Sequence, residues 1–201
     1  MPPITFALIL LNVLIYVMSA FTGPDIIRAF ALWPPGSGGA LHIWQLVTYS
    51  FLHGSLLHLG FNMLAIWMFG SALERIWSDL RYLLTYLMSV VVAAMTQIVI
   101  SGYFLHSASP VIGASGGVFG LLLAYALYFP NNAIGLIFLP FVRIPARTFV
   151  IGYGLLELFL GVTNTAAGVA HFAHLGGLFG GWLAVQYFRG RGLFGSWVRR
   201  R

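Results

Sequence analysis

From Ile4 to Phe21, and again from Tyr82 to Gly102, the chain runs without a single charged side chain. A helix advances about 1.5 Å per residue, so an apolar run of about 20 residues matches the hydrocarbon core of a bilayer. Inside lipid every backbone N–H and C=O must be satisfied within the chain, which leaves only helices or a closed barrel. Continuous apolar runs, in place of residue-by-residue alternation, exclude the barrel. Of the 201 residues 60% are hydrophobic and only 7% charged, too few to cover a water-facing surface. The chain therefore reads as an all-α membrane protein, one helical bundle with little room for a soluble domain.

The apolar pattern predicts six spans, over about residues 4–21, 55–73, 82–102, 114–129, 148–162 and 167–188, in a single membrane domain covering 1–201. Met1 to Ala20 lacks the basic start of a signal peptide and reads as a retained first helix. The connection from Thr22 to Tyr49 holds Pro24, Pro34, Pro35, Trp33 and Trp44, a composition suited to partly ordered structure at the lipid–water boundary. A short loop carries His106 and Pro110. Ala133 to Val142 is apolar but too short to span, and Pro140 and Pro145 interrupt it, so an interfacial segment is expected.

A net charge of +6 suggests nucleic acid until the basic residues are located. All ten are Arg, placed mostly at helix ends and in the tail 189–201, so membrane topology explains them and no nucleic-acid partner is expected. Arg75, Arg81, Arg143, Arg147 and the tail fall on one side of six spans, and Arg28 on the other. The positive-inside rule then puts both termini in the cytoplasm, and the tail arginines suit anionic headgroups. With no cysteine, disulfides, thiolate catalysis and Fe–S ligation are excluded.

In this topology helices two, four and six all enter from the outer face. His53, His58 and Asn62 lie near the start of helix two, Ser115 opens helix four, and His174 lies about two turns into helix six. Taken singly, Ser115 reads as packing glue and His174 as a satisfied buried imidazole. Three segments bringing polar groups to one depth read instead as a site, because ionisable groups inside a membrane face the bundle interior or water. A hydroxyl beside a neutral imidazole makes a nucleophile–base pair. His58 and Asn62, four apart, share a helix face and can donate to an oxyanion with the Ser115 N–H. Glu74 and Asp79 fall on the cytoplasmic side and Asp25 in a surface loop, so a Ser–His dyad without an acid is the natural reading.

His53-(four residues)-His58-(three residues)-Asn62, Gly113-Ala114-Ser115-Gly116 and Ala173-His174 before a glycine-rich helix together resemble the rhomboid family of intramembrane serine proteases. The resemblance covers essentially the whole chain and implies a six-helix bundle with a long first extracytoplasmic loop. It implies Ser115 as nucleophile, His174 as base, and His58 and Asn62 at the oxyanion, with His53, Gly113, Gly116, Phe119 and His171 in support. It also implies substrate entry between helices two and five. Two positions depart from the family's pattern. Trp44-Gln45 replaces a common Trp-Arg pair and loses a loop-stabilising charge, and Phe119 replaces a common Tyr, keeping the ring but not the hydroxyl.

His171 precedes His174 by three residues, but with no carboxylate or thiolate expected nearby a metal is not predicted, and no cofactor is. His53 is expected to fix the loop-to-helix junction. Glu157, the acid inside a predicted span, reads as a structural hydrogen-bond partner, and Gly176, Gly177, Gly180 and Gly181 as the close face of helix six. The function expected is a serine endopeptidase, acting on transmembrane segments of other membrane proteins from the bacterial inner membrane, its site open to the outer side. A non-catalytic rhomboid-like binder of membrane-protein clients is the alternative; the presence of both Ser115 and His174 favours the enzyme. A small-solute channel or transporter would need polar residues along a full path, whereas here they cluster at one depth.

Overall fold

The computed structural model describes residues 1–105, 109–136, 139–165 and 169–190. Helix α1 (Pro3–Thr22) begins with Pro at its first position, where the missing N–H costs nothing. A short α2 (Pro24–Phe30) and α3 (Gln45–Thr48) occupy the first connection. Next come α4 (Leu56–Ala65), a π-helical turn (Ile66–Gly70) and α5 (Ser71–Glu74), which together form one apolar rod, Leu56–Glu74. The long α6 (Asp79–Val99) is capped by the Ser78 hydroxyl. The chain then forms α7 (Ser115–Tyr128), strands β1 (Ala133–Leu136) and β2 (Leu139–Pro145), α8 (Ala146–Thr163) and α9 (His171–Phe188).

Two features bear on the expectations. The fold is mostly helical but not all-α: within the segment expected at the interface, β1 and β2 pair antiparallel with Ile134 opposite Ile144 and Gly135 opposite Arg143. Pro140 and Pro145 cannot sustain a helix, and a paired ribbon satisfies backbone groups that an unpaired segment would leave open. Secondly, four helices among the described residues are long and apolar enough to cross a membrane: Pro3–Thr22, Leu56–Glu74, Asp79–Gly102 and Ala146–Thr163. The helix expected over 114–129 is present but has only 14 residues, and α9 carries two histidines and four glycines. Helix α7 has no exposed residue and is enclosed by other helices, whereas α9 exposes Phe179, Trp182 and Tyr187 along one side. His106, residues 166–168 at the expected start of the sixth span, and the tail beyond 190 lie outside the described residues.

Helix α9 packs against α6, α7 and α8. It does so on stripes of glycine. A Cβ at Gly177 would collide with the Gly116 carbonyl, and one at Gly181 would stand 2.5 Å from the Gly120 carbonyl oxygen. Each stripe therefore has the four-residue spacing of small residues that lets helix backbones touch. On the adjacent stripe, a Cβ at Gly180 would lie 2.8 Å from Ser89 Cα of α6. The small hydroxyls on α6 fit this approach because Ser89 and Thr96 bond back to the carbonyls of Thr85 and Val92 and leave no polar atom idle.

Side-chain caps and cation–π contacts fix the ends. Both Glu74 oxygens accept from the first turn of α1, from Ile4 N and Thr5 N at 2.7 Å each, with the Thr5 hydroxyl at 2.6 Å. A carboxylate there satisfies orphan N–H groups and faces the positive end of the helix dipole. At the same end of the bundle the Arg81 guanidinium lies over the rings of Trp77, Tyr128 and Phe188 at 4.5, 5.5 and 5.3 Å, joining α6, α7 and α9.

In the first connection Gln45 is fully buried. Its carbonyl oxygen accepts from Trp33 N at 3.5 Å and His42 N at 3.2 Å, and its amide donates to the carbonyls of Ala29 and Ala40 at 3.4 and 3.3 Å. The neutral amide thus ties four backbone groups, although the loop lacks the arginine expected to stabilise it. Leu32 and Val111 exchange both backbone hydrogen bonds, at 3.0 and 2.9 Å, which anchors the connection beside the segment leading into Ser115.

Gly177→Val should force α7 and α9 apart and lower stability by about 1–3 kcal/mol or more. Thermal unfolding in detergent would read it, with the exposed Gly60→Val as the control, since a Cβ there meets nothing within 4 Å.

Candidate active site

Gly113 sets the geometry around Ser115. Its φ of 127° is open to glycine but not to residues with a Cβ, and a Cβ there would stand 2.7 Å from the His58 ring. Its N–H donates to the Tyr49 carbonyl at 3.0 Å, and the Tyr49 hydroxyl donates to Val90 O on α6 at 2.9 Å. Two residues later α7 begins at Ser115, whose N–H has no partner within the helix. Gly116, next along, faces Ala93 and the Tyr49 hydroxyl and serves this packing.

Ser115 Oγ lies 2.8 Å from His174 Nε2, across the α7–α9 seam. The Phe119 ring, one turn along α7, stacks on the His174 ring with centroids 4.3 Å apart and planes within 7°. Phe119 also packs on Tyr153 of α8 at 4.9 Å. The axial position of α9 is set by Gln97 of α6, whose carbonyl oxygen accepts from Ala173 N at 2.9 Å while its amide donates to Ser101 Oγ at 2.6 Å. The Ala173 N–H, in the first turn of α9 and one residue before His174, is thereby shared between Gln97 and the Ala170 carbonyl, each at 2.9 Å.

His58 and Asn62 face the same space from α4. Asn62 Nδ2 donates one hydrogen to the His58 carbonyl at 2.9 Å and keeps a second. His53 packs edge-on against His58 with centroids 5.0 Å apart. Burial, with His58 beside it, holds the His53 imidazole well below its usual value, at about 4, so it is neutral near pH 7.

Glu157 of α8 enters the site, where sequence reading expected no acid. Its Oε2 lies 2.6 Å from His171 Nδ1 and 3.0 Å from His174 Nδ1, the second contact being out of line for a hydrogen bond. Glu157, His171 and His174 are all buried. The ground for setting a metal aside is thus corrected, since a carboxylate does join the two histidines. Donor atoms of these three residues lie within 4.8 Å of one another, the group among the described residues that could hold an ion.

These side chains border a cavity of about 1500 Å³ that reaches Ser115, His174, His58, Asn62, Phe119 and His171. Phe61, Ala65 and Met68 of the α4 rod wall one side, and Phe149, Tyr153 and Leu156 of α8 the other.

The Rhomboid domain model matches residues 40–191, more than half of the chain. The chain belongs to the rhomboid family. It is 28% identical over 188 residues to the rhomboid protease GluP of Bacillus subtilis, covering 92% of this chain and 34% of that protein. To the rhomboid protease GlpG of Yersinia pestis it is 29% identical over 182 residues, covering 88% of this chain and 59% of that protein. The chain thus spans about a third to three fifths of the length of these rhomboid relatives. Family membership and the apolar helices together make it an integral membrane protein.

Sequence reading missed Gln97 and the position of Glu157. A lone Gln within an apolar span was a signal for the first. For the second the signal was symmetry about a turn: Glu157 lies seven residues before Asn164 and His171 seven after, and helices antiparallel about that turn bring such positions level. Asn164, in the left-handed conformation at φ 51°, ends α8 there.

Gln97→Leu should take the second acceptor from Ala173 N, which keeps the Ala170 carbonyl, and leave the buried Ser101 hydroxyl without its amide donor, at a cost of about 1 kcal/mol. A lowered unfolding midpoint in detergent would show it.

Proposed function

We propose that the protein is an intramembrane serine endopeptidase that hydrolyses peptide bonds in or near transmembrane segments of other membrane proteins. The observation that carries this reading is the 2.8 Å approach of Ser115 Oγ to His174 Nε2 beside a cavity inside an apolar bundle. The names of the relatives GluP and GlpG, both rhomboid proteases, support it.

Ser115 Oγ attacks the scissile carbonyl while its proton passes to His174 Nε2. The new Oγ–C bond pushes the carbonyl electrons onto oxygen. His58, the free Asn62 amide hydrogen and the Ser115 N–H are the donors for that charge, and such donors are worth more in a water-poor site than in solution. Collapse breaks the C–N bond, and Nε2 gives its proton to the leaving nitrogen. Water, activated in turn by His174, releases the acyl group. Phe119, stacked on the imidazole, limits ring rotation through both transfers.

A transmembrane helix hides its carbonyls in its own hydrogen bonds, so a substrate must unwind locally, and helix-destabilising residues near the cut are expected. The cavity between the α4 rod and α8 is the route from lipid. Helix α7, enclosed by its neighbours, and α9, with Phe179, Trp182 and Tyr187 exposed, complete a six-span bundle. Arg75, Arg81, Arg147 and Arg189 belong to the cytoplasmic end and Ser115 to the outer half, with both termini cytoplasmic in a bacterial inner membrane.

With a transmembrane substrate in detergent, Ser115→Ala and His174→Ala should each reduce cleavage by about 10⁴-fold or more without unfolding the bundle. Cleavage by Ser115→Ala equal to the unsubstituted protein would reject the reading. Asn62→Ala should lower kcat by about 10²-fold with little change in KM, as expected of a group that binds charge formed only in the transition state.

A further inference from the structure

Proton accounting around Glu157 goes beyond a two-residue mechanism. His171 Nε2 lies 3.2 Å from the Thr165 carbonyl, which can only accept, so Nε2 carries a hydrogen. Its other nitrogen, Nδ1, stands 2.6 Å from Glu157 Oε2, and two bare acceptors do not approach so closely. A proton therefore lies between them, and the Glu157–His171 pair carries no net charge wherever on that line it rests. This removes the cost of an isolated buried carboxylate. The same Oε2 faces His174 Nδ1 at 3.0 Å.

We propose that Glu157, itself held by His171, is the positioning residue that keeps His174 in the Nδ1–H tautomer, converting the dyad into a Ser–His–Glu relay backed by a second histidine. The inference rests on Ser115 and His174 as nucleophile and base. With hydrogen on Nδ1, the Nε2 lone pair is aimed at the Ser115 hydroxyl. When Nε2 takes the Ser115 proton, His174 becomes +1 and the substrate oxygen −1, so the site gains no net charge. Glu157 Oε2 lies where it faces the new imidazolium. The 3.0 Å contact lies off the hydrogen-bond axis, the state expected before substrate draws a catalytic contact into line. His171 and His174, one turn apart on α9, present both Nδ1 atoms to one oxygen on α8.

The test uses the full chain in detergent micelles, a fluorophosphonate that labels an activated serine, and a transmembrane peptide substrate. Glu157→Gln should slow labelling of Ser115 and lower kcat about 100-fold or more, with KM changed by less than about twofold, because a neutral amide no longer selects the tautomer. Glu157→Asp should restore at least about a tenth of the rate. In the unsubstituted protein, ¹⁵N NMR should find His174 protonated at Nδ1 and bare at Nε2. The inference is overturned if Glu157→Gln labels within about threefold of the unsubstituted protein, or if His174 carries its hydrogen on Nε2. Should Glu157→Gln fail to fold, the Asp variant and the tautomer decide. If the unsubstituted protein itself is not labelled at Ser115, the nucleophile assignment fails and this inference falls with it. Labelling that is indifferent to Glu157 sinks the relay alone.

Discussion

Helices α7 and α9 touch backbone to backbone. Gly116 and Gly120 on one meet Gly177 and Gly181 on the other at a separation that leaves no room for a methyl group. In lipid there is little hydrophobic gain in pressing two apolar helices together, so close van der Waals contact must hold them. The seam does more than hold. It brings the start of one helix, where Ser115 sits, within hydrogen-bond range of a side chain on the other. Had the helices met at an ordinary distance of 8–10 Å through larger side chains, a hydroxyl on so short a side chain could not reach the imidazole.

Around this seam three buried polar side chains gather main-chain partners. Glu74 caps α1, Gln97 caps α9, and Gln45 gathers four backbone groups of the first connection. Glu74 and Gln97 are side chains of one segment satisfying the main chain of another, and Gln45 ties together distant parts of its own connection. In a bilayer interior, where water cannot take over, such contacts specify register as well as stability. They hold α1 to the end of the α4 rod and α9 to α6, so the helix ends are fixed while lipid-facing surfaces stay featureless.

Four spans were legible because charge is nearly absent from them: the runs expected over 4–21, 55–73, 82–102 and 148–162 fall within a few residues of Pro3–Thr22, Leu56–Glu74, Asp79–Gly102 and Ala146–Thr163. Ser115, His174, His58 and Asn62 were legible because their spacing within short motifs is specific. What escaped depended on contacts between segments. The β1–β2 ribbon was hidden because an apolar stretch with two prolines shows no alternation to mark it as strand. Gln45 was read as a lost charge, since nothing local tells how many carbonyls and N–H groups converge on one amide. Glu157 was treated as a lone structural acid because its partners are 14 and 17 residues away and meet it only when α8 and α9 fold back about Asn164.

Helix α8 serves two neighbours at once. Its Phe149, Tyr153 and Leu156 side chains form one wall of the cavity, and Glu157, one residue further on, stands 3.0 Å from the His174 imidazole. Wall and carboxylate ride on a single rod, so any shift of α8 relative to α9 would alter the width of the cavity and the spacing of that contact together.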